Sequence, residues 1–385
     1  MTTVTPAPAS ASANADLTAD QTDIRDLARR VATDRVAPFA AEWDREHTFP
    51  RELFTELGQL GLLAVDLPAA LGGAEAGALA QALVLEELAR ADAGVGTSLV
   101  VHYAVTAILA ANCSDEQRAR WFPALADGSQ LCAFALTEAD AGSDTGAIRT
   151  RASGGRITGT KQWCTTGSHA AVIAVIAKDD DTPGRISAFL VEPGADGFAV
   201  TREEDKLGIR SSNTADLSFD GTPGEYLGEP GSGQRMALAG LGGGRISVAA
   251  LATGIGQAAL DVATRYARER RAFGKPIGAH QAIAHKLADM ATDVAAARAL
   301  THRAARLKEA GAPHVIEASQ AKLFASRVAR NNAQEAIQVL GGYGFSRDFP
   351  AEKLYRDAKI TEIYEGTSEI QRLVISRDLL GDLHV

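Results

Sequence analysis

Apolar residues recur at helical spacing through the first third of the chain, give way to short β-branched runs, and return to helical spacing for the remainder. Thr18-Ala-Asp-Gln21 has the form of a capping box, and Ile24, Leu27, Ala28, Val31, Val36 and Ala40 follow it on roughly one face. Pro50 suits the first turn of a second helix, which carries Leu53, Leu57 and Leu60. Gly72-Gly73 interrupts the pattern. Helices rich in Ala, Leu and Val are predicted after it over about 79–91 and 94–112. Ser114-Asp-Glu-Gln117 is a second capping box, opening a helix that ends near Ala126.

From Leu131 the period changes. Short segments at 131–136, 149–151, 156–158, 172–177, 187–191, 199–201 and 215–219 alternate with Gly, Asp and Pro, and Gly154-Gly155 sits where a hairpin turn belongs. This density of short strands predicts a small β-sandwich or barrel. After Gly244 the helical period returns. Helices are predicted over 245–271, from Gln281 to about Ala310, from Pro313 to about Leu340, and from Glu365 or just after to Leu380. Four long antiparallel helices make a bundle. The fold class is therefore a multidomain α+β protein: a disordered tail (1–15), an N-terminal α domain (16–127), a middle β domain (128–228) and a C-terminal four-helix bundle (229–385).

Composition changes this picture little. With 385 residues, 46% of them hydrophobic, the chain can bury a large core. A net charge of −9 argues against a nucleic-acid partner, which calls for a basic surface. Cys113, Cys132 and Cys164 form no C-x-x-C pair, so neither a zinc site nor a disulfide framework is indicated, and no metal is expected. Their usage fits a reducing, cytoplasmic compartment. The first 15 residues lack the features of a signal or transit peptide. No unbroken run of 18 apolar residues occurs, so no membrane span is expected.

Four stretches carry candidate chemistry. In Tyr364-Glu365-Gly366-Thr367 a carboxylate precedes a glycine, where no Cβ shields the backbone from a ligand; this suits a general base, or an ordinary exposed loop Glu. Phe134-Ala-Leu136-Thr137 runs into the Gly142-Ser143-Asp144 loop, either a cofactor edge or a set of Asx and Ser turns. Trp163, close to Thr165, is either core or the wall of a planar cofactor. Arg268, Arg270, Arg271 and Lys275 gather near a helix C-terminus, where cations suit the dipole or a diphosphate. Gly254 and Gly256 read as close helix packing. Gly341-Gly342-Tyr343-Gly344 reads equally as a helix cap or as part of a site.

Together these segments resemble the acyl-CoA dehydrogenase family, in particular its short-chain (butyryl-CoA) members, from about Asp16 to Leu380. The resemblance rests on Phe134-Ala-Leu-Thr137 with Gly142-Ser143-Asp144, Lys161-x-Trp163-x-Thr165-x-Gly167, Arg270-x-x-Phe273-Gly274, and Arg356-Asp357-Ala358 with Tyr364-Glu365-Gly366-Thr367, in that order. It implies a non-covalent FAD. Phe134, Leu136 and Thr137 would hold the pyrimidine end of the flavin, Trp163 would cover the ring, Thr165 would bond N5, and Gly142 and Ser143 would border flavin and substrate. Thr367 and Glu369 would contact the adenosine-diphosphate part. Arg270, Phe273, Gln281, Gln338, Gly341 and Gly342 would serve the FAD of a neighbouring subunit, which implies a homodimer or homotetramer.

Glu365 would take the α-proton of an acyl thioester as the β-hydrogen leaves as hydride, giving the trans-2-enoyl product, as in fatty acid metabolism. Ser143, Gly366, Arg245 and Arg270 would contact the substrate, the two arginines along its pantetheine and phosphate portions. An electron-transfer flavoprotein would be the acceptor. Family members that carry the base on the long helix place it where this chain has Gly244, which cannot act. Departures are Ala139, where Pro is common, and His280 and His285, where aromatics are usual. Three other readings remain: the same chemistry on an acyl-carrier-protein substrate, an oxidase or monooxygenase, and a non-catalytic acyl-CoA-binding scaffold.

Overall fold

A computed structural model of the chain describes residues 17–381, so the tail expected over 1–15 lies outside the described residues. The chain begins with α1 (Ala19–Val31), a single π-helical turn (Ala32–Val36), α2 (Ala40–Glu46), α3 (Arg51–Gln59), α4 (Gly77–Ala91), α5 (Ala93–Asn112) and α6 (Asp115–Ala126). Both predicted capping boxes form: the Thr18 hydroxyl accepts from the Gln21 amide, and that of Ser114 accepts from the Gln117 amide. Each satisfies backbone N–H groups that the first helical turn leaves without partners.

Eight strands follow: β1 (Cys132–Ala135), β2 (Arg151–Ser153), β3 (Arg156–Thr165), β4 (Val172–Asp179), β5 (Arg185–Val191), β6 (Phe198–Glu203), β7 (Thr214–Pro223) and β8 (Glu225–Tyr226). They form one hydrogen-bonded sheet in the order β6-β7-β3-β2-β4-β5-β8, with β1 also on β4. Gly154 and Gly155, both at positive φ, make the predicted β2–β3 turn. The strand expected at 149–151 starts two residues later, and β3 runs well beyond Thr158. Its alternation is hidden in the sequence by Gly159 and by a bulge between Lys161 and Cys164. Strands β1 and β2 sit end to end, both parallel to β4. The segment between them, 136–150, must therefore leave the sheet, and it contains the Thr137–Asp144 stretch.

The helices return with α7 (Gly233–Glu269), which opens twelve residues before the expected start at Arg245 and runs through the three glycines 242–244. A small hairpin follows, β9 (Arg271–Ala272) and β10 (Lys275–Pro276), then α8 (Gln281–Glu309), α9 (Val315–Leu340), the short α10 (Ala351–Ala358) and α11 (Ser368–Leu380). Helices α4 and α5 pack on α7, so one apolar cluster runs from Ala28 through Leu85 and Leu251 to Ala329 and Leu354. Two helical regions a hundred residues apart thus share a core. Gly254 makes this possible, since a Cβ there would lie 2.4 Å from the Glu86 carbonyl oxygen.

Helices α5 and α7 are long and apolar enough, by length and composition, to cross a bilayer, although no unbroken apolar run marks them in the sequence. They are core helices: 83% and 78% of their apolar windows are buried inside the protein. All three cysteines are free and buried.

Candidate active site

Helix α10 ends at Ala358, and a 3-10 turn (Lys359–Glu362) carries the chain to Tyr364. Glu365 then takes φ +53°, a left-handed conformation that costs a non-glycine residue about 1–3 kcal/mol. Gly366 follows at φ +85°, and Thr367 caps α11 by accepting from the Ile370 amide. Surrounding groups hold this turn. The Gly366 carbonyl accepts from Gln371 Nε2 at 2.8 Å and from Lys322 Nζ. Ser326 Oγ donates to the Thr361 carbonyl at 2.8 Å, and Arg330 Nε to the Glu362 carboxylate at 3.0 Å. Among the described residues nothing accepts from the Glu365 backbone N–H, and no hydrogen bond or ion pair reaches its carboxylate.

The Glu365 side chain is directed at α7. A Cβ built on Gly244 would stand 2.5 Å from Glu365 Oε2, so the glycine is what admits the carboxylate. Burial pushes the Glu365 pKa up to about 7, against the opposing pull of the Lys322 and Arg245 cations. Arg245 is buried beside this carboxylate: its Nη1 donates to Ser319 Oγ at 3.2 Å and its Nε has no partner among the described residues. It was expected along the pantetheine and phosphate portions of the substrate; the structure places it near the Glu365 carboxylate.

The β-domain candidates gather where β1 leaves the sheet. The Thr137 carbonyl accepts from the Gln162 amide at 2.8 Å, joining the end of β1 to β3 beside Trp163. Trp163 sits in the β3 bulge at φ +60° with its amide on Asp216, and it is 56% exposed rather than packed in the core. Leu136 is buried, Phe134, Thr137 and Thr165 are half-buried, and Gly142 and Ser143 are exposed on the adjoining loop.

A motif residue to which the sequence assigned no role underlies this corner. Lys161, fully buried, donates to the Leu136 carbonyl and to Glu138, each at 2.8 Å. Glu138 in turn accepts from the backbone amides of Arg149 and Thr150, closing the loop. Burial lowers the Lys161 pKa to about 8.

The third group forms a separate surface. Arg270, Gly341 and Gly342 line one groove of about 590 Å³, with the Arg270 guanidinium 5.7 Å from the Tyr343 ring. Phe273, at φ +51°, is 94% exposed and Phe345 87% exposed; Gln281 and Gln338 are exposed, as are the two glycines. Gly341 ends α9 at φ 60°, ψ −134°, so it is a helix terminus as well as a groove wall. His280 Nε2 donates to the Ala272 carbonyl at 3.2 Å and the ring packs edge-on against Phe273, while His285 is exposed. A larger cavity of about 890 Å³, against Gly72, Phe122 and Ala126, holds none of the candidate residues.

The arrangement fits a flavin. A flat aromatic is held open to solvent at a strained position, beside a strand end whose backbone is pinned. Three family models cover most of the chain: the N-terminal domain of acyl-CoA dehydrogenase over 18–129, its middle domain over 133–222 and its C-terminal domain over 231–380. The chain belongs to the acyl-CoA dehydrogenase family. It is an oxidoreductase of the kind that acts on CH–CH groups.

An acyl-CoA dehydrogenase of Bacillus subtilis (strain 168) is 43% identical over 375 residues, covering 95% of this chain and 99% of that protein. The butyryl-CoA dehydrogenase of Megasphaera elsdenii superposes with a TM-score of 0.92 at 37% identity, over 95% of this chain and 99% of that one. A structure described as the electron transferring flavoprotein of Acidaminococcus fermentans, in work on flavin-based electron bifurcation, gives a TM-score of 0.93 at 39% identity, over 96% and 100%.

Proposed function

We propose that this protein is a short-chain acyl-CoA dehydrogenase in which Glu365 is the α-proton base and an electron-transfer flavoprotein is the electron acceptor. FAD is the cofactor, and when bound it supplies the acceptor for the β-hydride. One observation carries the assignment of the base: Glu365 is a carboxylate with no ion-pair contact, held on a strained turn and tuned to ionise near neutral pH. A base is most effective when its pKa lies near the working pH.

The chain's own groups then have distinct tasks. Glu365 removes the proton. Its backbone N–H, without an acceptor among the described residues, is free to donate to the thioester oxygen as charge develops there. Gly366, at φ +85°, leaves room for the Gln371 amide, which a Cβ would meet at 2.7 Å, and Gly244 leaves room for the carboxylate. Phe134, Leu136, Thr137, Ser143, Trp163 and Thr165 hold the cofactor from the β domain, and Thr367 and Glu369 from α11. The groove at Arg270, Gly341 and Gly342, together with the exposed Phe273 and Phe345, supports contact with the FAD of a second copy of the chain, hence a dimer or tetramer.

The test is anaerobic titration of the flavin absorbance with butyryl-, isobutyryl-, 2-methylbutyryl-, hexanoyl- and octanoyl-CoA, with acyl-carrier-protein substrates beside them. Bleaching is expected with the four-carbon thioesters, and the Glu365→Gln rate should fall by about 10³-fold or more. Bleaching by none of the CoA thioesters refutes the substrate class. Bleaching at the wild-type rate in Glu365→Gln refutes the base.

A further inference from the structure

Lys322, Ser326 and Arg330 stand four residues apart on α9 and form one row facing the 361–366 turn. Ser326 and Arg330 tie Thr361 and Glu362. Lys322 is 1% exposed, and its ammonium donates to the Gly366 carbonyl, one residue past Glu365. That carbonyl already accepts from Gln371 Nε2 at 2.8 Å, and Gln371 also reaches the Glu365 carbonyl at 3.4 Å. Satisfying the backbone therefore does not require a cation. A buried ammonium carries a desolvation cost that a neutral amide avoids. What Lys322 adds is charge.

The charged groups around this point are few. Arg245 faces Glu365 from α7, Glu362 lies in the turn and Glu369 on α11. Glu362 is already paired with Arg330 and Lys359, and Glu369 is exposed and paired with Arg372. Glu365 is thus the anion left facing Lys322 and Arg245.

We propose that Lys322 is a positioning residue for Glu365: it holds the Glu365–Gly366 backbone in place and supplies the charge that lets the buried carboxylate ionise. This rests on the reading of Glu365 as the base. Arg245 aids ionisation from α7 but makes no hydrogen bond to the turn. Burial lowers the Lys322 pKa to about 8, so its own charge is present where Glu365 must act and weakens above that pH.

Three variants of the flavin-loaded protein separate the two roles. Lys322→Gln keeps a donor and loses the charge, Lys322→Met loses both, and Lys322→Arg keeps both. Two readouts are taken against pH. One is the rate of anaerobic flavin reduction by butyryl-CoA. The other is the infrared carboxyl band of Glu365 without substrate, assigned by its loss in Glu365→Gln. In Lys322→Gln both midpoints should rise by about one unit, a tenfold change in ionised fraction at fixed pH, with the high-pH rate within a few-fold of wild type.

Lys322→Met should show the same rise and a roughly tenfold lower plateau, as a base displaced from its geometry would. Lys322→Arg should restore the wild-type midpoint. Unchanged midpoints in Lys322→Gln overturn the proposal, even if Lys322→Met fails to bind flavin. Full activity in Glu365→Gln would instead refute the base, and the infrared band would still report whether Lys322 governs Glu365.

Discussion

Two buried carboxylate–lysine settings lie eight residues apart on this chain, and they behave differently. Asp357 is fully buried. It accepts from Lys353 Nζ at 2.6 Å and from the Ile209 amide, while the same lysine donates to Asp92 at 2.9 Å. Asp92 caps α5 through the Val95 amide and bonds Ser211. Two carboxylates around one ammonium hold Lys353 charged well above the ordinary lysine range. The cluster ties α5, the segment before β7 and α10 together, and every strong acceptor in it is occupied.

At Glu365 the lysine reaches the backbone instead of the carboxylate. The cation steadies the turn and biases ionisation without consuming the oxygen that has to take a proton. A buried carboxylate bonded on all sides is structural; one left without a partner beside a cation is available for chemistry.

Breaking the first setting should have the larger effect. Lys353→Met leaves two buried carboxylates uncompensated and should cost about 3–5 kcal/mol in unfolding free energy. The pH midpoint of flavin reduction in whatever protein folds should not move. Denaturant titration beside stopped-flow reduction checks both halves of this statement.

Gly244→Ala sharpens the second setting. The added Cβ meets Glu365 Oε2, the far end of a flexible side chain, so the carboxylate can swing aside. Folding stability should hardly change, while the reduction rate falls by about 10- to 100-fold through misplacement of the base. Equal losses of stability and rate would mean that Gly244 serves packing alone.

The smallest effect is a pH-dependent stability. The folded-state pKa of Glu365, about 7, lies above the 4.5 of an exposed glutamate. Its contribution is therefore fully present below pH 4.5 and is lost as pH rises through 7. Flavin-free Glu365→Gln should match wild type near pH 4.5. At pH 8 it should be more stable by about 2 kcal/mol, a figure reduced from the full shift because the residue is partly exposed.

Much of the scaffold was legible in the sequence because its signals are local. The two capping boxes and the Gly154-Gly155 turn need only neighbouring residues to form, and the last helix, expected from Glu365 or just after, begins at Ser368 behind the Thr367 cap. The early start of α7 was not, since Gly242, Gly243 and Gly244 are poor helix formers and, among the described residues, only Met236 and Ala237, buried with α5 residues, anchor the first turns. The strain was not legible either. Trp163, Phe273 and Glu365 were chosen by chemistry and resemblance, and all three have positive φ.

Lys322 was missed, and Lys161 was given no role of its own within its motif, because a single lysine usually lies on a solvated face. A signal was present for Lys322. It falls on the apolar face marked by Ala318, Ala321, Ala325 and Ala329, all buried, where a charge is out of place. The closeness of Arg245 to Glu365 was not legible either. Its sequence neighbours tell nothing about which way it turns from α7.

The most direct test of the account is the pH dependence of anaerobic flavin reduction at saturating butyryl-CoA. The wild-type rate should rise through a single ionisation near pH 7 to a plateau, and Glu365→Gln should leave only a slow, pH-independent residue. A wild-type profile flat from pH 5.5 to 9, or the same ionisation persisting in Glu365→Gln, would contradict Glu365 as the base.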